Sequence, residues 1–333
     1  MSFDFSSLLW IFIAIMVLQP LLTGRWYALR RAQAIRAIER SHGSRVITMI
    51  HRQEKRSIFG FAVSRHIDLE GAQTIIAAIK DTPDDMPIDL VIHTPGGLVL
   101  AAMQIARAVE AHKANVTVYV PVYAMSGGTL IALAADEIVL GEFSVLGPID
   151  PQIAGLPAAS IVKARDSKSI DSVFDLTVVL ADMGEKALAQ VKRGAVELLT
   201  PRMDLAAAEA LADKLAGGHW THDYALTATE ARALGLPVKV GMPQEVLALM
   251  KLYPQPIQQS GSTCQSTSRG SAESDGDANM TDPSSRATRR QAWKCRPQFG
   301  QSRRGDRMKR REFITLIGGM APIATACYTV SIS

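Results

Sequence analysis

The stretch PIDLVIHTPGGLVLAAMQIARAVEAHKANVTVYVPVYAMSGGTLIALAADEIVL, running from Pro87 to Leu140, decides the fold. PIDLVIH (Pro87–His93), VTVYVP (Val116–Pro121) and EIVL (Glu137–Leu140) are short apolar runs rich in branched residues, which read as buried strands. Val99–Ala111 and Gly127–Ala135 between them read as helices. Strands alternating with helices imply a largely parallel sheet joined by crossover helices, an α/β fold. Working outward, RVITMIH (Arg45–His51) adds a strand and Leu69–Ile79 a helix before this block. After it come helices over Leu176–Leu199 and Leu205–Ala216. ATEARALGLPVKV (Ala228–Val240) then gives a short helix, a turn at Gly235 and a last strand.

Two glycine-bearing turns follow consecutive strands: HTPGGL (His93–Leu98) and YAMSGGTL (Tyr123–Leu130). In the second, Ser126 stands between a strand and a helix and is followed by Gly127 and Gly128. A strand-to-helix turn lifts a hydroxyl clear of the sheet, and the helix N-terminus favours developing negative charge. The N–H of Gly127 and an N–H from the Gly96–Gly97 turn leave the same ends of parallel strands, so together they form a candidate oxyanion hole. A Ser-Gly-Gly turn also serves as a plain helix cap or a phosphate cradle, and the spacing alone leaves these readings open. His93 reads as a buried histidine satisfying backbone, with a contact to the oxyanion loop as the alternative. His51, His66 and Glu54 lack the close spacing of a metal site, so no metal is expected. No Walker A or GxGxxG pattern occurs, which argues against a nucleotide cofactor.

The chain has 333 residues and a net charge of +4, from 36 Lys+Arg against 32 Asp+Glu. From Gln255 to Ser333 there are 12 basic and 6 acidic residues, so the body before it is slightly acidic and the basic excess says nothing of nucleic acid. All three cysteines, Cys264, Cys295 and Cys327, fall in that tail. The body therefore has no thiol chemistry. The tail is poor in apolar residues and reads as disordered over 255–333. MKRREFITLIGGMAPIATA (Met308–Ala326) within it resembles the start of a twin-arginine leader, which suggests a tail read through from a neighbouring frame; the alternative is an ordinary basic tail with a weakly membrane-touching end.

At the other end, LLWIFIAIMVLQPLL (Leu8–Leu22) is an uncharged apolar run followed by Arg25, Arg30, Arg31, Arg36 and Arg40. It reads as a single-pass anchor over 1–24, with a basic juxtamembrane helix over 25–43 and a cytoplasmic domain over 44–254. The alternative is a buried or interfacial helix.

TPGG, AMSGGTLIALAADEI and SVLGPID together resemble the Clp protease and crotonase-like superfamily, signal peptide peptidase A in particular. More closely, HTPGGLVLAA, YAMSGGTLIALAADEI, LGPIDPQ and WTHDY, within Ser44–Val238, resemble the serine dehydrogenase proteinase family. The resemblance implies a spiral of ββα units, a nucleophile at Ser126, hydrolysis of peptide bonds in a polypeptide substrate and a homo-oligomer. Similarity to Clp-like peptidases implies a triad with altered spacing, in which Asp150 and His222 are the matching residues and His219 a decoy. Similarity to signal peptide peptidases implies instead a Ser–Lys pair, with Lys163 or Lys186 as base, provided the lysine sits in an apolar pocket. A crotonase-like acyl-CoA enzyme and a non-catalytic membrane scaffold of the same fold are the rival readings.

Overall fold

A computed structural model describes residues 5–51, 66–253 and 331–332. Its centre is a five-stranded parallel sheet in the order β1-β2-β4-β6-β11, formed by Arg45–Ile50, Ile88–His93, Val116–Val120, Glu137–Leu140 and Val238–Val240. The expected strands are all present, each within one or two residues of the sequence reading. Every residue of β2 and β4 is buried, as continuous branched runs in a parallel sheet covered on both faces require.

Alternation divides the two faces. Ile47, Leu90, Val118 and Ile138 are register partners in a row across the sheet and enter the main core. Against that core pack α2 (Leu69–Lys80), α3 (Val99–Glu110), α4 (Gly127–Ala132), α6 (Asp175–Leu199) and α7 (Leu205–Ala216). Val91, Tyr119 and Val139 form the opposite row, covered by Ile38 of α1 (Phe5–His42) and by Val246 and Leu249 of α9 (Gln244–Lys251). Helix starts follow local chemistry: Asp68 accepts the Gly71 N–H at 2.8 Å to begin α2. At α8 (Ala228–Ala233) Thr227 and Glu230 form a reciprocal capping box.

The N-terminal region departs from expectation. The separate anchor and juxtamembrane helices are one continuous helix, α1, with Thr23 bonding back to the Gln19 carbonyl inside it. Its last turns are not laid on a membrane surface. Ile38 is fully buried beside Ala34 and Ile35, while Arg31 donates to the Leu252 carbonyl and lies over the Tyr253 ring. Apolar residues four apart make a stripe that the sheet covers, and Arg25, Arg30, Arg36 and Arg40 stay exposed around it. His42 closes the helix by bonding Asp89 and Glu245. Among the described residues no helix is long and apolar enough to cross a membrane, which removes the support for a transmembrane anchor. Leu8–Leu22 by itself rises about 22 Å, short of a hydrocarbon core of about 30 Å.

Two small sheets build the site. One has the order β10-β7-β5, from Leu226–Thr227, Val145–Leu146 and Tyr123–Ala124. The other has the order β3-β12-β8-β9, from Gly97–Leu98, Ser331–Ile332, Gln152–Ile153 and Leu156–Pro157. The tail was expected to be disordered throughout, yet Ser331 and Ile332 form β12. The edges of β3 and β8 supply the backbone partners that so polar a tail lacks by itself. Residues 254–330, with the leader-like segment and the cysteines, lie outside the described residues.

Candidate active site

The sheet β10-β7-β5 explains how three residues distant in sequence come to the same end of one small sheet. β5 and β7 run parallel, so Ser126, just after β5, and Asp150, shortly after β7, leave from the same edge. β10 is antiparallel to β7, so the segment before β10, which carries His222, begins at that same edge. His222 Nδ1 lies 2.8 Å from Asp150 Oδ1, and both side chains are largely buried. An ionised carboxylate only accepts, so Nδ1–H donates to Asp150 and leaves the lone pair on Nε2. Gln152 Nε2 donates to the other oxygen, Asp150 Oδ2, at 2.8 Å. This fixes the carboxylate and, through it, the imidazole.

Ser126 occupies the turn between β5 and α4 with φ 54° and ψ −113°, a region that costs a residue with a side chain about 1–3 kcal/mol. The strain persists because the turn is held on all sides. Thr129 Oγ1 donates to the Ala124 carbonyl at 2.8 Å and accepts the Gly147 N–H at 3.0 Å. A Cβ on Gly128 would lie 2.5 Å from Thr94 Cγ2, so only glycine fits there. Ser126 is completely buried, and its Oγ has no hydrogen-bond partner among the described residues. His222 Nε2 is likewise buried without a partner, as are His93 Nδ1 and Arg202 Nε, so no hydrogen bond joins Ser126 Oγ to His222 in this structure. A buried polar group left unpaired is costly, about 1–3 kcal/mol, and such catalytic contacts often tighten only around substrate.

The glycine turn corrects one expectation. Gly96 N–H donates to Thr94 Oγ1 at 3.1 Å, so it is not free to bind an oxyanion. Gly97 N remains: a Cβ built on Gly127 would lie 3.5 Å from it, which makes the Gly97 and Gly127 backbones neighbours. Gly127 opens α4, where N–H groups have no intrahelical acceptor. Gly97 has φ 156°, and a Cβ there would lie 2.3 Å from the Ile67 carbonyl oxygen.

The lysines do not meet the requirement placed on them. Lys186 is exposed and pairs with Asp182 one turn away, and Lys163 is exposed on α5 (Ala158–Asp166). Neither lies in the apolar pocket that a Ser–Lys pair would need. His219 is likewise an exposed residue that bonds Asp213. Among the described residues no three His, Cys, Asp or Glu side chains are grouped to hold a metal ion.

His93 is buried against the Tyr123 ring at 4.3 Å, with Nδ1 unpartnered. Burial pushes its pKa down to about 4, and the neighbouring His51 adds to the shift. The unfolded chain therefore binds a proton between pH 6.5 and 4 that the folded chain refuses, so stability is full above pH 6.5 and falls as pH drops. A loss on the order of 2 kcal/mol is expected between pH 6.5 and pH 5. Urea titrations at both pH values, on the wild type and His93→Phe, measure it; equal acid sensitivity in the two proteins would remove His93 as the cause.

Reasoning from sequence missed Gln152, Thr94 and Thr129 as parts of this site. Their signal was proximity to the glycine turns and to Asp150. It identified the turns but not the polar bonds that hold them.

A family profile described as "ClpP-like SDH-type serine proteinase" matches residues 1–278. Uncharacterized protein MJ0137 of Methanocaldococcus jannaschii is 47% identical over 260 residues, 78% of this chain and 91% of the relative. Uncharacterized protein MJ1495 of the same organism is 47% identical over 247 residues, 74% of this chain and 84% of the relative. Membrane protein NfeD1b of Bacillus subtilis is 28% identical over 148 residues, 39% of this chain and 34% of the relative.

Proposed function

Because this chain belongs to the ClpP-like SDH-type serine proteinases, we propose that it is an endopeptidase that cleaves extended polypeptides through an acyl-enzyme on Ser126. The observation that carries this reading is the Asp150–His222 bond, which points an unprotonated Nε2 away from the carboxylate at the edge where the strained Ser126 turn emerges.

In the proposed reaction His222 Nε2 takes the Ser126 hydroxyl proton as Oγ bonds to the scissile carbonyl carbon. Negative charge moves to the carbonyl oxygen, which accepts from the Gly97 and Gly127 N–H groups. Collapse breaks the C–N bond, and the same proton goes from His222 to the leaving amine. Water, deprotonated by His222, then attacks the ester and restores Ser126. Asp150 stays ionised and holds the imidazolium, with Gln152 holding Asp150.

The strand position filled by Ser331–Ile332 supports a polypeptide substrate. Ser331 pairs with Leu98 and with Gln152, and Ile332 with Gly97, both antiparallel. A chain lying there runs toward its C-terminus from Leu98 to Gly97, bringing successive carbonyls to the oxyanion donors. The reading also retains a homo-oligomer, supported by the exposed Phe174, Leu176 and Val179 at the start of α6. It keeps membrane association of the Leu8–Leu22 segment, supported by the likeness to a membrane protein, and the cytoplasmic side for the peptidase domain, supported by the arginines that follow the segment.

A fluorophosphonate probe, followed by peptide mapping, tests the reading. The expected product is a single adduct on Ser126, absent after heat denaturation. A folded, oligomeric preparation that takes up no probe would favour the non-catalytic scaffold.

A further inference from the structure

Thr94 follows β2 directly and is completely buried between the two loops of the site. Its backbone joins it to the nucleophile turn: Thr94 N–H donates to the Tyr123 carbonyl at 3.2 Å, and the Thr94 carbonyl accepts from Met125 N–H at 3.0 Å. Its methyl sits against Gly128 in the first turn of α4. Its hydroxyl faces the other way. Thr94 Oγ1 accepts the Gly96 N–H at 3.1 Å and lies 2.7 Å from His51 Nδ1.

His51 directly follows β1 and is itself tied to β2, donating its backbone N–H to the His93 carbonyl at 2.8 Å. Burial lowers its pKa, opposed by the charge of Asp68 and helped by that of His66, which favours a neutral ring. A neutral ring has one acceptor nitrogen. With Nδ1 as acceptor, Gly96 N–H donates to Thr94 Oγ1 and Thr94 O–H to His51 Nδ1; with Nδ1 protonated, it donates to Thr94 Oγ1 and the Thr94 O–H turns to the Gly96 carbonyl at 3.4 Å, so in either tautomer the hydroxyl ties His51 to the turn. The low dielectric around a buried threonine strengthens each of these bonds.

We infer that Thr94, backed by His51, is a positioning residue that holds the Gly96–Gly97 turn at a fixed distance from the Ser126 turn, so that the Gly97 N–H meets the oxyanion. The outer side of the turn is held separately. Ile67 N–H donates to the Gly96 carbonyl at 2.7 Å, and Leu98 N–H to the Ile67 carbonyl at 2.9 Å. The turn is thus clamped from both sides, and only the inner clamp is a side chain joined to the nucleophile turn. Neither Thr94 nor His51 touches the reacting atoms.

The inference rests on the serine peptidase reading and deepens it. Its test is a kinetic comparison of Thr94→Val, which keeps the shape and loses the hydroxyl, with Thr94→Ser, which keeps the hydroxyl and loses the methyl. His51→Ala and the Thr94→Val/His51→Ala pair complete the set. Loss of a whole oxyanion donor slows catalysis about 10²–10³-fold, and a displaced donor should fall below that, at roughly 10–100-fold in kcat for Thr94→Val. KM is expected to stay within about threefold, because the strand-pairing groups for substrate are unchanged. Thr94→Ser should recover most of the rate, His51→Ala should lie between it and Thr94→Val, and the pair should be no slower than Thr94→Val alone. A Thr94→Val enzyme with wild-type kcat, or a defect equally large in Thr94→Ser, overturns the inference. So does a loss carried by KM. Inactive Ser126→Ala beside normal Thr94→Val would condemn the positioning role alone, whereas active Ser126→Ala would condemn the peptidase reading itself. Thermal melting of each variant separates slow turnover from misfolding.

Discussion

Ser126→Ala is expected to lower peptide hydrolysis by roughly five to six orders of magnitude, to the level that binding and the remaining oxyanion donors supply by themselves. The fold should tolerate it, because Ser126 Oγ makes no hydrogen bond that the substitution would break. Alanine brings no relief of strain, since its Cβ meets the same restriction at φ 54°. Ser126→Gly is different: without a Cβ the residue should sit in this conformation more easily, giving a protein about 1 kcal/mol more stable and just as inactive. A stabilised, inactive Ser126→Gly beside an unstabilised Ser126→Ala would mark the turn as strain held for chemistry. Chemical denaturation of both proteins, with turnover of a fluorogenic peptide, provides the measurement. Residual activity above a thousandth of the wild type in either variant would place the nucleophile elsewhere.

His222→Ala should approach the serine defect, because without Nε2 nothing takes the hydroxyl proton. Asp150→Asn is expected to lower kcat by about 10⁴ while preserving the shape of a fully buried site. An amide can donate to His222 Nδ1 and so favour the tautomer with its proton on Nε2, which cannot act as base. Gln152→Ala frees only one carboxylate oxygen and should cost far less. Lys186→Ala and Lys163→Ala should stay within about twofold, since both lysines are solvated. Steady-state kinetics on the five variants decides between the bases. Loss of activity in a lysine variant with a healthy His222→Ala would reverse the assignment.

The parts of this architecture that sequence could reveal are those with a long enough pattern. β2 and β4 are runs of branched residues, and α6 and α7 repeat their apolar face over several turns, so each declares itself. β5, β7, β8 and β10 have two residues each and no period to detect. Yet they are what bring Ser126, Asp150 and His222 to one edge. Ser126 was legible because a serine and two glycines between strand and helix are chemically conspicuous. His222 and Asp150 emerged through likeness to related peptidases, and nothing in their spacing would have paired them. Thr94 and His51 were invisible as a pair because their roles come from tertiary contact across adjoining strands. The N-terminal helix misled for a physical reason: Leu8–Leu22 and the arginines look like anchor and flank, whereas Ala34, Ile35 and Ile38 bury the last turns against the sheet.

The place held by Ser331–Ile332 has a width. Two strands flanking a third stand about 9.5 Å apart, and a helix with its side chains measures about 10–12 Å across. A folded segment therefore cannot enter between β3 and β8; only a single chain, stripped of its own secondary structure, fits there. Were this place to receive a peptidase substrate, as proposed, the rate of cutting would become a readout of how often the substrate's backbone comes undone. When opening and closing outpace cleavage, that rate tracks the free energy of local unfolding. On the proposed peptidase reading, the two short strands would spare sound proteins and expose loosened ones, a sorting by mechanical fit that requires no recognition sequence.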